Sequence, residues 1–581
     1  MAKAQANKTT ANKAVANKNQ KTPARDLGLD PEQIYFVPLG GSEQFGVNFN
    51  LYAHDGKWLA VDCGMGFADE RFPGIDIVLP DPAFIEPYKA DLTALIITHA
   101  HEDHIGAVAH LWPRLKCPIY CTEFTASVMK RKLDEVPGSR DAIVNIVSPG
   151  ESISVGPFTF EFIQVSHSIP DTAAVLIETK AGRVLHSGDW NLDPTPVLGT
   201  PTDEAALKRA GAKGILAYIG DSTNAEVPGR TGSEIEVEAG LAKVFSECKG
   251  RIGITVFASN IARVQSIVRA AKACDRKVAL LGRSLHSMVG SALDCGYLKG
   301  IPDFIGSDEI GYLPEDKQVM IVTGSQGEAR AALARIARGD HPDVVFGRGD
   351  TVIFSSRAIP GNELEINTVR NHLSAAGVQV ITTNDTPHTI HVSGHPCRDE
   401  IIDMINWVKP KLVIPVHGER VMLEAQAELA RQCQVPHVIV PSNGSVIKLG
   451  PGTPEIVDHV HTGLLAVEKM RIIDSNHASI VDRRKLQFSG TVHVTLVVNA
   501  RGDLLADPQI STVGLLDEES PADKKILTGI LDEVEDTLAD MVREDLMDDH
   551  SVHEEVRIGV RRYVQVVLGM KPKTTVHVVR V

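Results

Sequence analysis

No run of about eighteen apolar residues occurs anywhere in the 581-residue chain, which excludes a membrane-spanning helix on hydropathy. The N-terminus also lacks the apolar segment of a signal peptide, so the expectation is a soluble, non-exported, cytoplasmic protein with no membrane partner. Cysteine is sparse. The eight residues Cys63, Cys117, Cys121, Cys248, Cys274, Cys295, Cys397 and Cys433 form no C-x-x-C pair. Reduced thiols in a cytoplasm are the expectation. Basic excess is missing too: 59 Lys and Arg face 74 Asp and Glu, a net charge of -15. A polyanionic partner would therefore have to be met by local charge. Hydrophobic content of 43% is enough to bury large cores in about three domains.

What the chain does contain is a dense cluster of metal-ligand side chains. Residues 98–106 read T-H-A-H-E-D-H-I-G and place His99, His101, Asp103 and His104 directly after the apolar residues 94–97. Imidazole nitrogen and carboxylate oxygen suit zinc or manganese. Alternate residues on a tight loop can offer two nitrogens to one ion while Asp103 and His104 reach a second. Glu102 does not make a zincin helix, because His101 and His104 are one residue too close for H-E-x-x-H. A solvated or core-satisfied histidine cluster is the plain alternative.

Further polar residues close β-branched, apolar stretches, where strand ends assemble sites. Asp62 follows one such run, His167 another, Asp189 a third and His417 a fourth. More than two hundred residues separate Asp189 from His417, too many for a loop within a compact domain, so an extra domain is expected between them. Its residues 252–257, 278–281, 319–322, 351–354 and 378–381 read as buried strands, and 261–274, 329–337 and 364–376 as helices. That alternation predicts a doubly wound parallel sheet. The small polar turns after its strands, including Ser259 and Asn260, can bind phosphate through backbone amides or can be plain connections. No G-x-G-x-x-G or P-loop occurs there, which argues against a nucleotide cofactor.

Taken together, Asp62, H-x-H-x-D-H, His167, Asp189 and His417 resemble the metallo-β-lactamase fold, in which two sheets pack face to face between helices and bind two metals at one edge. The resemblance implies that His99, His101 and His167 hold one metal and that Asp103, His104 and His417 hold the other. It makes Asp189 the bridge, with Asp62 orienting the loop. The insertion, with Gly220-Asp221-Ser222-Thr223, His391-Val392-Ser393-Gly394-His395 and Pro415-Val416-His417-Gly418, is similar to the β-CASP nucleases. The phrases at 257–260, 323–328 and 354–363 are similar to those of the bacterial ribonuclease J family. This likeness covers residues from about 33 to 581 and implies a metallo-β-lactamase αββα sandwich with an inserted doubly wound β-CASP domain and a small C-terminal α+β domain. It implies a metal-dependent ribonuclease working 5′ to 3′ on 5′-monophosphate RNA ends with some endonuclease action, in RNA maturation and mRNA decay. Two divalent ions per chain are expected, zinc first and manganese or magnesium as the other candidates. A homodimer or homotetramer and RNA-decay partner proteins are also implied.

The chemistry can be argued from the residues. Two divalent ions about 3.5 to 4 Å apart lower the pKa of water towards roughly 7 and stabilise an oxygen of the attacked phosphate. The departing 3′ oxygen needs a proton, for which His395, held by Asp221, is the candidate general acid. His391, Val392, Ser393 and Gly394, with His395, Ser259 and Asn260, would cradle a phosphate one nucleotide from the metals. Histidines 391 and 395 as core residues are the alternative reading.

The expected domains are a disordered basic tail (1–27), the core (28–225 and 386–450), the insertion (226–385), a linker with short strands (451–486) and an α+β domain (487–581). The tail carries Lys3, Lys8, Lys13, Lys18, Lys21 and Arg25, no acid up to Arg25, and Ala-Asn-Lys at 6, 11 and 16. It reads as a solvated extension or an arm for RNA phosphates. The terminal domain should run as strands 491–499 and 509–515, helices 522–547 and 553–568, and strand 575–581. Other function classes make different demands. A small-ester or lactone hydrolase predicts a short loop after Asp189, a silent scaffold predicts lost ligands, and a DNA-cleaving relative usually lacks the histidine found here at 417.

Overall fold

The computed structural model describes residues 27–359 and 361–581, and the basic tail expected up to residue 27 lies almost wholly outside them. The chain divides into two units: residues up to Gly66 with Leu79–Gly463, and Phe67–Val78 with Leu464–Val581.

Two sheets form the centre of the larger unit. One has eight strands, in the order Glu455–His459, Ser445–Gly450, Ile34–Gly40, Phe49–His54, Lys57–Val61, Leu92–Ile96, Ile119–Cys121 and Val144–Ile146. The other has seven, in the order His437–Val438, Leu412–Val416, Ala217–Asp221, Gly182–His186, Ala173–Thr179, Phe158–Gln164 and Ser152–Val155. Period-two alternation gives each sheet an inner apolar face. Phe36, Tyr52, Leu59 and Ile96 of the first sheet share one core with Phe160, Phe162, Val175, Val184 and Ile414 of the second. The second sheet's other face buries Tyr218 and Val413 against Leu207, Ile401 and Met404 of helices Glu204–Ala212 and Arg398–Val408. This is the expected αββα sandwich. The loops that carry the candidate ligands all follow strand C-termini, where open α/β sheets form their sites.

The insertion is a five-stranded, wholly parallel sheet in the order Lys277–Leu281, Gln318–Val322, Ile252–Thr255, Thr351–Phe354 and Gln379–Ile381. Its inner strands are buried on both faces, as crossover helices require, while the edge strand Gln379–Ile381 is partly exposed. Helix Ile261–Ala273 begins where the Asn260 side chain accepts from the Arg263 amide and buries Val264, Ile267, Val268 and Ala271 at helical spacing. Helices Glu234–Glu247 and Arg283–Asp294 were not expected from the sequence. Their interiors mix Gly, Ser and His with apolar residues, which blurs the 3.6-residue period.

In the smaller unit, Thr491–Val498 pairs with Gln509–Val513 on one side and Lys573–Arg580 on the other. Helices Pro521–Asp540 and Asp549–Leu568 cover the sheet through Ile530, Val534, Val556 and Val560. The helix expected over 522–547 is broken. It stops at Asp540, Met541 is extended, and a short helix Arg543–Leu546 follows. Past the break, Met541 and Leu546 pack against the domain's core. In the expected linker, Leu464–Glu468 and Arg471–Asp474 form a hairpin, and a helix, Ala478–Ser489, runs past its expected end at 486.

Candidate metal centre

Asp62 follows strand Lys57–Val61 with φ +62° and is fully buried. Its Oδ1 accepts from the Thr98 amide at 2.9 Å, and its Oδ2 lies 2.7 Å from Nδ1 of His104. That contact places the His104 proton on Nδ1 and turns Nε2 inward, the arrangement a supporting carboxylate gives a metal-binding imidazole. Asp62 thus fastens the histidine loop to the neighbouring strand. Gly64 is required beside it, since a Cβ there would lie 1.6 Å from the Asp103 carbonyl oxygen.

His99, His101, His167 and Asp189 converge in one buried cluster. The Nδ1 of His101 lies 3.1 Å from Nε2 of His99 and 3.0 Å from Nε2 of His167. His167 donates from Nδ1 to the Gly394 carbonyl at 2.7 Å, which leaves its Nε2 lone pair facing the cluster. Burial, then neighbouring imidazoles, pushes His101 well down, and burial pushes His167 down to about 3. These are neutral rings with available lone pairs. A second cluster holds Asp103, His104, Asp189 and His417, with Nε2 of His417 3.0 Å from Oδ2 of Asp103. Burial opposes protonation of His104 and His417, but the carboxylates of Asp189 and Asp103 outweigh it and hold both rings well above the usual histidine range. The positive charge there answers a carboxylate concentration that a cation would satisfy equally.

Asp189 belongs to both clusters. Its Oδ2 is 3.5 Å from Nε2 of His99, its Oδ1 is 3.3 Å from Nε2 of His104, and that buried Oδ1 has no hydrogen-bond partner. A buried carboxylate oxygen with no aligned hydrogen bond is costly unless charge meets it, here the His104 ring or a cation in its place. The donor set is imidazole and carboxylate, and it suits divalent metal. The residues present fit the group.

The His395 and Asp221 side chains meet beside these clusters, and Asp189, Asp221, His395 and His417 form a third group of potential ligands. His395 Nδ1 lies 2.9 Å from Asp221 Oδ2 and is thereby committed to it. Burial opposes the charged ring, but the Asp221 and Asp189 carboxylates outweigh it and raise His395 above its ordinary value. The 391–394 segment is held in place from several sides. Asn224 donates to Ser393 Oγ at 2.9 Å, and Arg263 reaches the His391 ring and the Val392 carbonyl. Gly394 has no room for a side chain, because a Cβ would lie 2.6 Å from Cε1 of His167. Asn260 spends its side-chain oxygen on the cap of the helix that carries Arg263, and Ser259 precedes it. Glu102 pairs with Lys132.

Sequence reasoning passed over Thr98, Thr223, Asn224 and Arg263. Thr223 hydroxyl lies 2.8 Å from both Asp221 Oδ1 and His417 Nδ1, tying the two motifs together. Thr98 and Thr223 sit inside the motifs themselves, and that was the available signal. Arg263, an arginine on a buried helix, gave none that composition or spacing could separate from a surface residue.

Fold and site define a metallo-β-lactamase hydrolase carrying a β-CASP insertion. Family models agree: "Metallo-beta-lactamase superfamily" matches residues 43–282, "Ribonuclease J, beta-CASP domain" 249–373, "Zn-dependent metallo-hydrolase RNA specificity domain" 385–441 and "Ribonuclease J C-terminal domain" 478–581. The chain is 42% identical over 563 residues to the ribonuclease J of Sinorhizobium meliloti, covering 96% of this chain and 99% of that one. It is 35% identical over 478 residues to that of Thermus thermophilus, covering 81% and 83%. A crystal structure of a protein of unknown function from Enterococcus faecalis matches with TM-score 0.52 at 16% identity, over 72% of this chain and all of that one, a likeness of fold alone. The chain belongs to the ribonuclease J family. It is a metal-dependent ribonuclease with RNA as its substrate. Among the described residues, no helix is long and apolar enough to cross a membrane.

Proposed function

We propose that the enzyme removes nucleotides from 5′-monophosphate RNA ends in the 5′-to-3′ direction, with some internal cleavage, in RNA maturation and mRNA decay. The observation that carries the metal-dependent cleavage in this reading is the Asp189 carboxylate, whose two oxygens face different histidine clusters, and likeness to the ribonuclease J family supports the end preference. His99, His101 and His167 would hold one ion, Asp103, His104 and His417 a second, and Asp189 both, with zinc or manganese the best match to the donors. When bound, the metal pair supplies an activated water at neutral pH and stabilises charge on the phosphate under attack.

The chain's own groups do the rest. Asp62 orients His104 and the loop that carries the first ligands. With Nδ1 committed to Asp221, His395 can present Nε2 to the departing 3′ oxygen and give up its proton, leaving a 3′-hydroxyl and a 5′-phosphate. Ser259, Asn260, His391, Val392, Ser393 and Gly394 would form the pocket for the terminal phosphate. A cytoplasmic homodimer or homotetramer, partner proteins of RNA decay, and the domain boundaries given under Sequence analysis belong to the same proposal. The test is digestion of end-labelled RNA carrying 5′-monophosphate, triphosphate or hydroxyl, beside a DNA control, in zinc, manganese and magnesium. Mononucleotides released preferentially from monophosphorylated RNA are expected. Oligonucleotide fragments at equal rates from all three ends would overturn the exonuclease reading.

A further inference from the structure

Arg263 is completely buried and yet carries a full charge. Its Nε lies 2.6 Å from Glu234 Oε1 and its Nη2 2.9 Å from Oε2, a bidentate pair. A buried ion pair is a poor source of stability, so its position asks for another reason. The remaining donors supply one. Nη1 reaches Ser355 Oγ at 2.7 Å, the Ser355 carbonyl at 2.9 Å, the Ile390 carbonyl at 3.4 Å and His391 Nδ1 at 3.2 Å, while Nη2 reaches the Val392 carbonyl at 3.3 Å. Arg263 and Ser355 belong to the insertion, Arg263 on helix Ile261–Ala273 and Ser355 just after strand Thr351–Phe354. Residues 390–392 lead into the motif that carries Ser393, Gly394 and His395. A single guanidinium therefore joins the inserted sheet to the phosphate-facing segment.

A guanidinium can only donate. By donating to His391 Nδ1 it obliges that ring to accept there, so the neutral imidazole keeps its proton on Nε2. Burial first, then the charges of Arg263 and Arg357, push His391 down to about 3, in keeping with a neutral ring. Ser355 Oγ, which accepts from Arg263, donates in turn to the Ile390 carbonyl at 2.6 Å.

We propose that Arg263 is the positioning residue of the 5′-phosphate pocket: it fixes His391 as an Nε2–H donor and pins the Ile390 and Val392 carbonyls, so that the inserted domain sets how the RNA end is read. This rests on the pocket reading given under Proposed function. The phosphate is then met by a neutral donor backed by a buried cation, with no mobile surface lysine needed.

The test uses the full-length, metal-loaded enzyme and two RNAs of one sequence, with 5′-monophosphate or 5′-hydroxyl. Arg263→Met combined with Glu234→Met removes both charges and leaves no orphaned carboxylate. Arg263→Lys keeps the charge and loses the fork. Both variants are expected to lose about tenfold in preference for the monophosphate, read as kcat/KM and as binding anisotropy, with the loss falling on KM more than on kcat. Metal content is expected to match wild type, and lysine is expected not to rescue, since one ammonium cannot reproduce the planar fork. Undiminished preference in a folded variant overturns the proposal. Should the paired substitution fail to fold, Ser355→Ala leaves the ion pair intact and is expected to lose roughly threefold; unchanged preference there also overturns it. His391→Ala separates the two readings. Preference retained in that variant sinks the pocket itself, whereas preference lost there but kept in the Arg263 variants sinks only the positioning role.

Discussion

His395 Nδ1 sits 2.9 Å from Asp221 Oδ2, and that contact leaves Nε2 as the ring nitrogen for the proposed acid role. His395→Ala should lower kcat by about 10² to 10⁴ with metal content intact, as expected for loss of a general acid. Asp221→Asn should preserve the shape and disturb the tautomer, giving a similar fall in kcat with little change in KM. Metal analysis beside steady-state kinetics checks both. Loss of metal in either variant would move that residue into the ligand set, which the grouping of Asp189, Asp221, His395 and His417 makes geometrically possible.

Asp62 touches no donor of the first cluster and acts through His104 and Thr98. Asp62→Asn should therefore weaken metal affinity by roughly 10- to 100-fold, the usual effect of losing a group that orients a ligand. Competition with a chromogenic chelator measures this. Wild-type affinity would show that the His104 ring is held by other contacts.

Two glycines are needed for lack of space. A Cβ at 394 would lie 2.6 Å from Cε1 of His167, and one at 64 would lie 1.6 Å from the Asp103 carbonyl oxygen. Gly394→Ala should displace His167 and reduce metal occupancy and turnover together while leaving the thermal midpoint close to wild type. Gly64→Ala pushes on backbone, which cannot swing aside, and should cost both metal and stability. Scanning calorimetry with metal analysis distinguishes the two.

The core between the sheets should respond as packed interiors do. Phe162 is fully buried there. Phe162→Ala should destabilise the larger unit by about 3–5 kcal/mol, the usual cost of truncating a buried aromatic. Chemical unfolding followed by circular dichroism checks it. A change below about 1 kcal/mol would mean that the site collapses around the missing ring.

Much of this candidate centre was legible because its proposed ligands are close in sequence or sit at strand ends. His99, His101, Asp103 and His104 lie within six residues, and Asp62, His167, Asp189 and His417 each close an apolar stretch. The insertion's strands were legible for the same reason, as short apolar runs closed by small polar turns. What escaped was contact made through space without periodicity. Thr223 ties Asp221 to His417, and Arg263 ties the insertion to residues 390–392. The break after Asp540 escaped as well, since helix-forming residues continue through it, and Met541 and Leu546 pack against the core beyond it.

The proposed centre depends above all on Asp189 meeting two ions at once, and quantitative metal analysis of wild type and Asp189→Ala, with RNA cleavage measured on the same samples, tests this most directly. The expected result is two divalent ions per wild-type chain, and in the variant loss of at least one ion and of nearly all hydrolysis. A variant that cleaves 5′-monophosphorylated RNA at the wild-type rate, or a fully active wild-type enzyme with no divalent metal, would contradict it.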